Sequence, residues 1–321
     1  MQQENELNAF NGHRSSNEEL EIDFRYMALG GTLFISALNP DLINTCRGLV
    51  LPGLRSLAID MSERIHDSDL PFALGKLQEL LAALHHIKQH QQTLVNAPLL
   101  FIQVHDVHAF ESISCLKHIE LIDGFILPNF NVSNMQTYMN YYIPDKYYMP
   151  VLDSNFLALS TLPEVSEFLG RYRKNIISLR IGDCGLANLG LRRDCGHSYY
   201  DIGVINQSIS QYISIFKPMG FNLTAPAYDC IGGHHQSVFE SEIKLDLQQG
   251  LFGKTLTHAS QIKIIDRLYQ VTPDQYAIAE RVLDPYSPAS FEMAEQIHDK
   301  KILQQWAKYI LARANVYGIQ T

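Results

Sequence analysis

The sequence predicts an α/β protein, a (β/α)₈ TIM barrel with extra C-terminal helices. Eight short apolar runs, rich in β-branched and aromatic residues, recur between residues 32 and 258. Several of these runs are almost continuously apolar, which is typical of parallel strands covered on both faces. Segments with helical spacing of apolar residues separate many of the runs. Eight strands with helical connections are the arrangement that closes into a barrel.

The eight predicted strands follow one another along most of the chain. They are Thr32–Leu38, Ser56–Asp60, Leu99–Val104, Gly124–Phe130, Tyr148–Asp153, Ile176–Gly182, Asn222–Asp229 and Gly253–His258. An open, doubly wound sheet is the structural alternative. Such a sheet usually carries a glycine-rich phosphate loop after an early strand. The sequence has neither a G-x-G-x-x-G nor a Walker motif, so the barrel is favoured.

Two segments carry signals for the start of a helix. Thr161 and Thr272 each precede a proline by one or two positions, and Glu or Gln follows three residues after each threonine. This spacing is typical of a capping box with proline in the first turn. A long final helix is predicted over Phe291–Tyr317, ending near Gly318.

The chain divides into three predicted parts. Residues 1–24 form a polar N-terminal tail, residues 25–270 the barrel, and residues 271–321 a helical extension. The extension is expected to pack on the barrel or on a neighbouring subunit. Trp306 in the last helix is compatible with a homo-oligomer contact, and packing within its own subunit is the alternative.

Composition excludes some classes of partner. The chain has 25 basic and 34 acidic residues and a net charge of −9. Without a basic stripe, we expect no binding to nucleic acid, because such binding requires neutralised phosphates. No apolar run reaches the length of a membrane span, and the polar N-terminus lacks the apolar core of a secretory leader. The five cysteines form no C-x-x-C pair, which suits a reducing compartment. We therefore predict a cytoplasmic protein.

Polar residues stand where the predicted strands end, the place where barrel enzymes carry their chemistry. Asp153 and Asp183 end the fifth and sixth strands, so their carboxylates are expected to face one another across the mouth. An oxygen-rich site of this kind suits Mg²⁺ or Mn²⁺. The alternative is that both residues cap loops or helices, as aspartates often do.

Basic residues near the same strand ends are candidates for binding a substrate. Arg180 interrupts an apolar strand, and it either points into the mouth or pairs with a carboxylate such as Asp153. Arg192 and Arg193 either bind a carboxylate or phosphate bidentately or form a solvated loop pair. His258 ends the eighth strand and joins the substrate-binding candidates.

The resemblance to a known family rests on several motifs. The chain contains "TLFISALNPDL", "SLAIDMSERI", "RIGDCGLANLGLRR" and the closing segment "GLFGKTLTHASQIKIIDRLYQVTPDQYAIAERVL". It resembles the citrate lyase β-subunit and HpcH/HpaI aldolase superfamily over Tyr26–Leu283. The closing segment is similar to the pattern G-x-x-G-K-x-x-x-H-P-x-Q-I, with Ala259 in place of the proline. The segments "LGLRR" and "FKPMGFNLTAPAYD" resemble a bacterial branch found beside tellurium-resistance gene clusters.

The resemblance implies a metal-dependent carbon–carbon bond lyase, in which Mg²⁺ or Mn²⁺ stabilises an enolate. The substrate would be a carboxylate or an acyl-thioester, including thioesters of coenzyme A. The strand-five glutamate of the family falls on Asp153, but the strand-six aspartate falls on Gly185, so that Asp183 would have to replace it. The strand-three arginine falls on Gln103, and Glu63 keeps one acid of the pair after strand two.

Two functions remain open at this point. In the first, the chain is an aldol-type or Claisen-type lyase. Asp153 and Asp183 would hold the metal with Glu63 acting through water, while Arg180 stands in for the arginine missing at Gln103. In the second, the barrel has lost catalysis and binds a metabolite or a protein partner. Gly185 and Gln103 favour the second function, while the two retained aspartates and the closing motif favour the first.

Overall fold

The computed structural model describes residues 24–62, 65–90, 97–152, 159–182, 186, 189–231 and 233–320. Residues 1–23 of the predicted polar tail lie outside this range. The chain divides into two compact units, one formed by Leu29–Ile262 and the other by residues 24–28 together with 263–320. The predicted boundary between barrel and extension lay eight residues later, after residue 270.

Eight parallel strands form the larger unit, which confirms the predicted fold class. The strands are β1 (Gly31–Ser36), β2 (Ser56–Asp60), β3 (Leu99–Gln103), β4 (Gly124–Leu127), β5 (Tyr147–Leu152), β6 (Leu179–Ile181), β7 (Leu223–Thr224) and β8 (Lys254–Leu256). Neighbouring strands pair in the order β7-β6-β5-β4-β3-β2-β1-β8. A parallel bridge between Ala225 and Lys254 joins β7 to β8 and closes the ring.

One α-helix follows each strand, as the barrel fold requires. The helices are α1 (Leu42–Cys46), α2 (Leu70–Gln89), α3 (Val107–Ser114), α4 (Met135–Asn140), α5 (Leu162–Gly170), α6 (Gly203–Phe216), α7 (Gln236–Gln248) and α8 (Ile262–Tyr269). The predicted start of α5 is confirmed within a residue, although the Thr161 side chain makes no capping hydrogen bond. None of the described helices is long and apolar enough to cross a bilayer.

The inside of the barrel carries more polar groups than a barrel core usually does. Ser56 Oγ donates to Thr32 Oγ1 at 2.9 Å between β2 and β1. On the opposite side, the hydroxyls of Ser178 and Thr224 lie 2.7 Å apart, and Asn222 Nδ2 donates to Ser178 Oγ at 2.9 Å. These hydroxyl groups and the Asn222 Nδ2 atom form hydrogen bonds with one another although they are buried, whereas Asn222 Oδ1 finds no partner among the described residues.

The described part of the smaller unit contains α8 from Lys263 onward, two further α-helices and a β-hairpin. Helix α9 (Pro273–Leu283) begins with the predicted capping box, in which the side chains of Thr272 and Gln275 each accept from the other residue's backbone. The hairpin pairs β9 (Ser290–Met293) with β10 (Gln296–Asp299), and α10 (Lys300–Tyr317) follows.

The prediction of one long helix from Phe291 was therefore wrong over its first nine residues. Ala294 and Glu295 both have positive φ angles, 49° and 62°. Two such residues form the tight turn that suits the twist of a hairpin. Phe291 is buried in the core of this unit, and Trp306 packs against the same core. The homo-oligomer contact proposed for Trp306 stays a prediction.

Candidate active site at the barrel mouth

A cavity of about 330 Å³ opens at the carboxyl ends of the strands. This volume falls within the usual range of small-molecule sites. Its lining comes from all eight strands or from the loops that follow them, and comprises Phe34, Asp60, Ser62, Gln103, His105, Pro128, Asn129, Val151, Arg180, Ile181, Gly182, Tyr199, Ala227, Asp229, Thr255 and Thr257. The larger share of these side chains is polar, so the cavity suits a polar ligand rather than an apolar one.

Arg180 crosses the barrel from β6 and forms part of the cavity wall. Its residue exposure is only 3%. Nη1 donates to Thr32 Oγ1 at 3.3 Å and approaches Met149 Sδ at 3.7 Å, while Nη2 donates to Thr255 Oγ1. The guanidinium also lies over the Phe34 ring at 5.0 Å. Among the described residues, every group that contacts this cation is neutral.

Burial lowers the pKa of Arg180 to about 9, so the side chain still carries its charge near pH 7. Burying a charge costs several kcal/mol in a protein interior when no opposite charge accompanies it. A ligand anion in the cavity would offset that cost. Asp153 and Asp183 lie outside the described residues, so the group next to Arg180 is either a ligand anion or a carboxylate of the chain itself.

Two described carboxylates share the cavity wall with Arg180. Asp60 ends β2 and is buried, and its Oδ1 accepts from the backbone amide of Ser62 at 2.9 Å. Asp229 follows β7, and its side chain is 69% exposed. Amide oxygens from Gln103 and Asn129 and the hydroxyls of the β8 threonines add further oxygen donors. This set fits a hard cation such as Mg²⁺ better than a soft one.

Several residues predicted for the site lie outside the described residues. They are Glu63, Asp153 and Asp183, and Gly185, where the family's aspartate is replaced, lies outside them too. The structure describes their neighbours, however, and Ser62, Val151 and Gly182 all line the cavity. The proposed metal ligands Asp153 and Asp183 therefore remain predictions, on strands whose described ends reach the mouth.

Of the other predicted site residues, some line the cavity and others do not. Gln103 ends β3 and lines the cavity. Arg192 is exposed and is absent from the described lining. His258 is also exposed and lies outside the lining, and its Nδ1 atom contacts Ser260 Oγ at 2.8 Å at the start of a short 3₁₀ turn.

Arg193 is turned away from solvent into the wall behind the cavity. Its guanidinium forms an ion pair with Glu242 at 3.2 Å, and Nη2 donates to the Ala227 carbonyl at 2.9 Å. The rings of Tyr199 and Tyr228 lie 4.0 and 4.7 Å from its Cζ atom. Both faces of the guanidinium are covered by tyrosine rings, and its nitrogens already bind Glu242 and Ala227. Arg193 therefore stabilises the loops around the mouth and does not present its guanidinium to a substrate.

Glu242 belongs to a buried charge network between α7 and β8. Lys254 Nζ donates to Glu242 Oε1 at 2.6 Å and to Asp246 Oδ2 at 2.8 Å. Burial alone would raise the pKa of Glu242, but the cations Lys254 and Arg193 outweigh it and hold that pKa below its usual value. For Asp246 burial prevails over the attraction of Lys254 and raises the pKa to about 6. Thr255 and Thr257 line the cavity, so alternation along β8 turns Lys254 outward to this network.

A disulfide bond joins two loops beside the mouth. Cys195 follows β6 and Cys230 follows β7, and their Cα atoms lie 5.4 Å apart. Tyr228 OH also donates to the Cys195 carbonyl at 2.6 Å. The cysteine spacing in the sequence contained no sign of this pairing. It weakens the cysteine-based argument for a reducing compartment, and the cytoplasmic location stays a prediction.

Sequence reasoning did not assign a role to the β8 threonines or to the acids of α7. The sequence did contain a signal for the acids of α7, because Glu242 and Asp246 share one helix face with the apolar Phe239 and Ile243. Acids at buried helical spacing indicate a buried cation partner. Thr255 had no comparable signal, since its role depends on an arginine 75 residues away.

Solved structures that share this fold include three bacterial proteins, CitE, a citrate lyase and RipC. CitE from Mycobacterium tuberculosis, solved with magnesium, acetoacetate and coenzyme A, is 15% identical, with a TM-score of 0.64 over 90% of this chain and 99% of that one. A citrate lyase from Burkholderia xenovorans is 12% identical, with a TM-score of 0.68 over 91% and 94%. RipC from Yersinia pestis is 14% identical, with a TM-score of 0.57 over 77% and 98%. At these identities the likeness shows the fold alone.

No curated protein sequence matches the chain significantly. The sequence model of the family described as C–C bond lyase of the TIM-barrel fold matches residues 23–319, which is nearly the whole chain. The protein therefore belongs to the C–C bond lyases of the TIM-barrel fold.

Proposed function

We propose that the protein is a Mg²⁺- or Mn²⁺-dependent lyase that cleaves a carbon–carbon bond by an aldol-type or Claisen-type reaction. The substrate is a small carboxylate or an acyl-thioester. Family membership supports the reaction class. The fold relative CitE was solved with magnesium, acetoacetate and coenzyme A, which supports the classes of cofactor and substrate. The tellurium-associated branch, the homo-oligomer and the cytoplasmic location stay predictions.

The observation that carries this proposal is Arg180. A buried guanidinium whose described contacts are all neutral stands in the wall of a polar cavity. The family resemblance expects an arginine on β3, where this chain has Gln103. Arg180 supplies a positive charge to the same cavity from β6 instead, so the protein retains a group that binds and orients a substrate carboxylate.

Asp153 and Asp183 would hold the divalent cation, with Glu63 acting through water. When bound, the cation would supply Lewis-acid stabilisation of the negative charge that develops beside the substrate carbonyl. The oxygen-rich lining fits this role, because it offers carboxylate, amide and hydroxyl oxygens of the kind that Mg²⁺ prefers.

The described residues of the cavity would bind the substrate and transfer the proton. Arg180 binds the substrate carboxylate by charge-assisted hydrogen bonds, which orients the bond to be cleaved. Gln103 donates a neutral hydrogen bond from the β3 end of the cavity. Of the two described carboxylates in the wall, Asp60 is the buried one. It acts as the general acid or base that transfers a proton to or from the substrate when the carbon–carbon bond is cleaved.

A second candidate function is a barrel that binds a carboxylate metabolite, or a protein partner, without cleaving it. The observation that favours it is Gln103, a neutral residue that lines the cavity where the family resemblance expects a charge. Loss of one charged stabiliser typically lowers a rate by roughly 10²- to 10³-fold.

Hydrogen–deuterium exchange tests the proposed function without knowledge of the full substrate. The full chain is incubated with Mg²⁺ in D₂O with pyruvate, acetyl-coenzyme A or an acyl-thioester panel, and proton NMR follows the hydrogens beside the carbonyl. A lyase of this class is expected to accelerate their exchange, because the reaction requires negative charge at that carbon. Asp153→Asn should slow the exchange by about 10²-fold or more.

Asp145→Asn is the matched control, because Asp145 is exposed and precedes β5 at the other end of the same strand. It should leave the exchange rate unchanged. Binding of carboxylate and Mg²⁺ with no exchange for any compound would overturn the lyase proposal in favour of the binding barrel.

A further inference from the structure

Two histidines and a glutamate meet at the amino end of the barrel, away from the mouth. His85 lies in the last turns of α2, and His118 and Glu120 lie in the loop that leads into β4. The Nδ1 atoms of His85 and His118 lie 3.9 and 3.4 Å from the same Oε1 of Glu120. Two nitrogens and one oxygen therefore converge, with all three ligand atoms within 4.8 Å of one another.

The loop that carries His118 and Glu120 is held in place from two sides. The Gln78 side chain exchanges two hydrogen bonds with the Lys117 backbone, at 3.1 and 3.2 Å. Lys146 is buried, and its Nζ donates to the carbonyls of Glu120 and Ile122 at 3.1 and 2.7 Å. The loop is thus fixed to α2 and to the segment before β5.

His118 adopts a backbone conformation that non-glycine residues seldom use. Its φ angle is 70°, in the left-handed region. This conformation brings its imidazole onto that of His85, with ring centroids 3.8 Å apart and planes inclined by 20°. Strained backbone that is held by surrounding structure often marks a functional position.

We propose that His85, His118 and Glu120 form a binding site for a divalent transition metal, with zinc as the preferred ion. A metal bound there would link the end of α2 to the loop before β4. The site is separate from the Mg²⁺ site proposed at the mouth, and it does not depend on the reaction proposed there.

The ligand set selects the type of metal. Imidazole nitrogens suit zinc and its transition-metal neighbours, whereas Mg²⁺ and Ca²⁺ prefer oxygen. Three protein ligands would leave a fourth position for water, as in other open zinc sites. Zinc–nitrogen bonds of about 2.0–2.1 Å require the ligand atoms to approach more closely than they do here. The Glu120 side chain is 61% exposed, and it and the two stacked imidazoles must turn toward the ion to reach these distances.

Gln89 completes the arrangement around His85. Its side-chain nitrogen lies 2.8 Å from His85 Nε2. When His85 Nδ1 binds the metal, the neutral imidazole is in the tautomer that carries its single ring hydrogen on Nε2. Rotation of the Gln89 amide then presents its oxygen to Nε2–H, the kind of second contact that fixes the orientation of a metal-bound imidazole.

Isothermal titration with zinc tests the proposal. The untagged full chain, freed of metal with a chelator, is titrated with zinc in saturating Mg²⁺, so that the mouth does not contribute. One zinc equivalent is expected to bind in the micromolar range or tighter. His85→Ala and His118→Asn should each weaken binding by about tenfold or more, since asparagine tolerates the left-handed backbone of residue 118.

His86→Ala is the matched control, because His86 is the next residue of α2 and its ring stacks on His90 instead. It should bind zinc like the parent. The visible absorption of the cobalt-substituted protein should be that of a tetrahedral site and should be absent from His85→Ala. Equal zinc affinity in the parent and the two ligand variants, or no binding by the parent, would overturn the proposal.

Discussion

Arg180 Nη1 donates to Thr32 Oγ1 at 3.3 Å, a hydrogen bond that joins β6 to β1 across the inside of the barrel. Two strands, β7 and β8, separate them along the closed side of the ring. The side chain therefore spans the barrel instead of pairing with a neighbouring strand. Its charge lies at the base of the mouth, where the described contacts of Arg180 are hydroxyl groups, a thioether sulfur and a ring.

Arg180→Met should separate ligand binding from stability. The variant is expected to lose affinity for small carboxylates, because the cation that binds them is gone. Its unfolding free energy should stay within about 2 kcal/mol of the parent or rise, since the burial cost of the charge disappears while a few hydrogen bonds are lost. Pyruvate titration and urea unfolding measure the two effects.

Arg171→Met is the control for this substitution, because Arg171 is exposed at the end of α5, away from the mouth. It should retain ligand affinity. A loss of about 3–5 kcal/mol in Arg180→Met would instead indicate that Arg180 forms a buried pair with an acid such as Asp153, the structural alternative.

Glu242→Gln should strongly destabilise the protein. Glu242 is fully buried and contacts both Lys254 and Arg193, at 2.6 and 3.2 Å. Removing its charge leaves two buried cations whose remaining ion pairs among the described residues are with Asp246 and the exposed Asp229. We expect a loss of about 3–5 kcal/mol in the unfolding free energy. Glu240→Gln, on the neighbouring surface of α7, should change it little, and equal effects of the two variants would contradict the network described here.

Asp246→Asn should change how stability depends on pH. Burial raises the pKa of Asp246 in the folded protein to about 6, above its ordinary value of 3.8. The folded state therefore binds more protons between about pH 4 and 6, and the stability linked to this group is lost as the pH rises through that range. The unfolding free energy of the variant relative to the parent should increase from pH 4 to pH 6 and then level off. A flat difference would show that Asp246 has the same pKa in both states.

The Cys195–Cys230 bond should stabilise the protein by closing a long loop. The two cysteines are 35 residues apart, which corresponds to about 3–4 kcal/mol in the chain-entropy description. The double variant with serine at both positions should lose about this amount in chemical unfolding without reductant. Cys115→Ser, at an exposed free cysteine, should not. No difference between the double variant and the parent would contradict a formed disulfide.

Local patterns predicted the parts of the fold that depend on local interactions. The strand Ser56–Asp60 and the capping box at Thr272 are present as predicted, because apolar runs and capping contacts involve neighbouring residues. The segment after Phe291 contains good helix formers, but pairing within a hairpin overrides that propensity. Contacts between distant residues, such as Arg193 with Glu242, could not be predicted from spacing alone.

In the candidate site, too, the sequence predicted some positions and not the contacts between distant residues. The predicted strands placed Gln103 and Arg180 near the mouth, because the ends of parallel strands meet in a barrel. Asp60 lies there as well, although the sequence analysis had assigned it no role. The sequence did not indicate that Arg192 and Arg193 differ in burial. The two arginines are adjacent in the chain, yet one is exposed and the other is stacked between tyrosines 199 and 228.

The most direct test is the coupling between Mg²⁺ and a carboxylate at the mouth. Calorimetry would measure the affinity for pyruvate with and without Mg²⁺, in the parent, in Asp153→Asn and in the control Asp145→Asn. If the mouth holds a cation and a substrate carboxylate together, Mg²⁺ should tighten pyruvate binding by about tenfold or more in the parent and the control, and not in Asp153→Asn. Equal pyruvate affinity with and without Mg²⁺ in the parent would contradict the metal-dependent lyase.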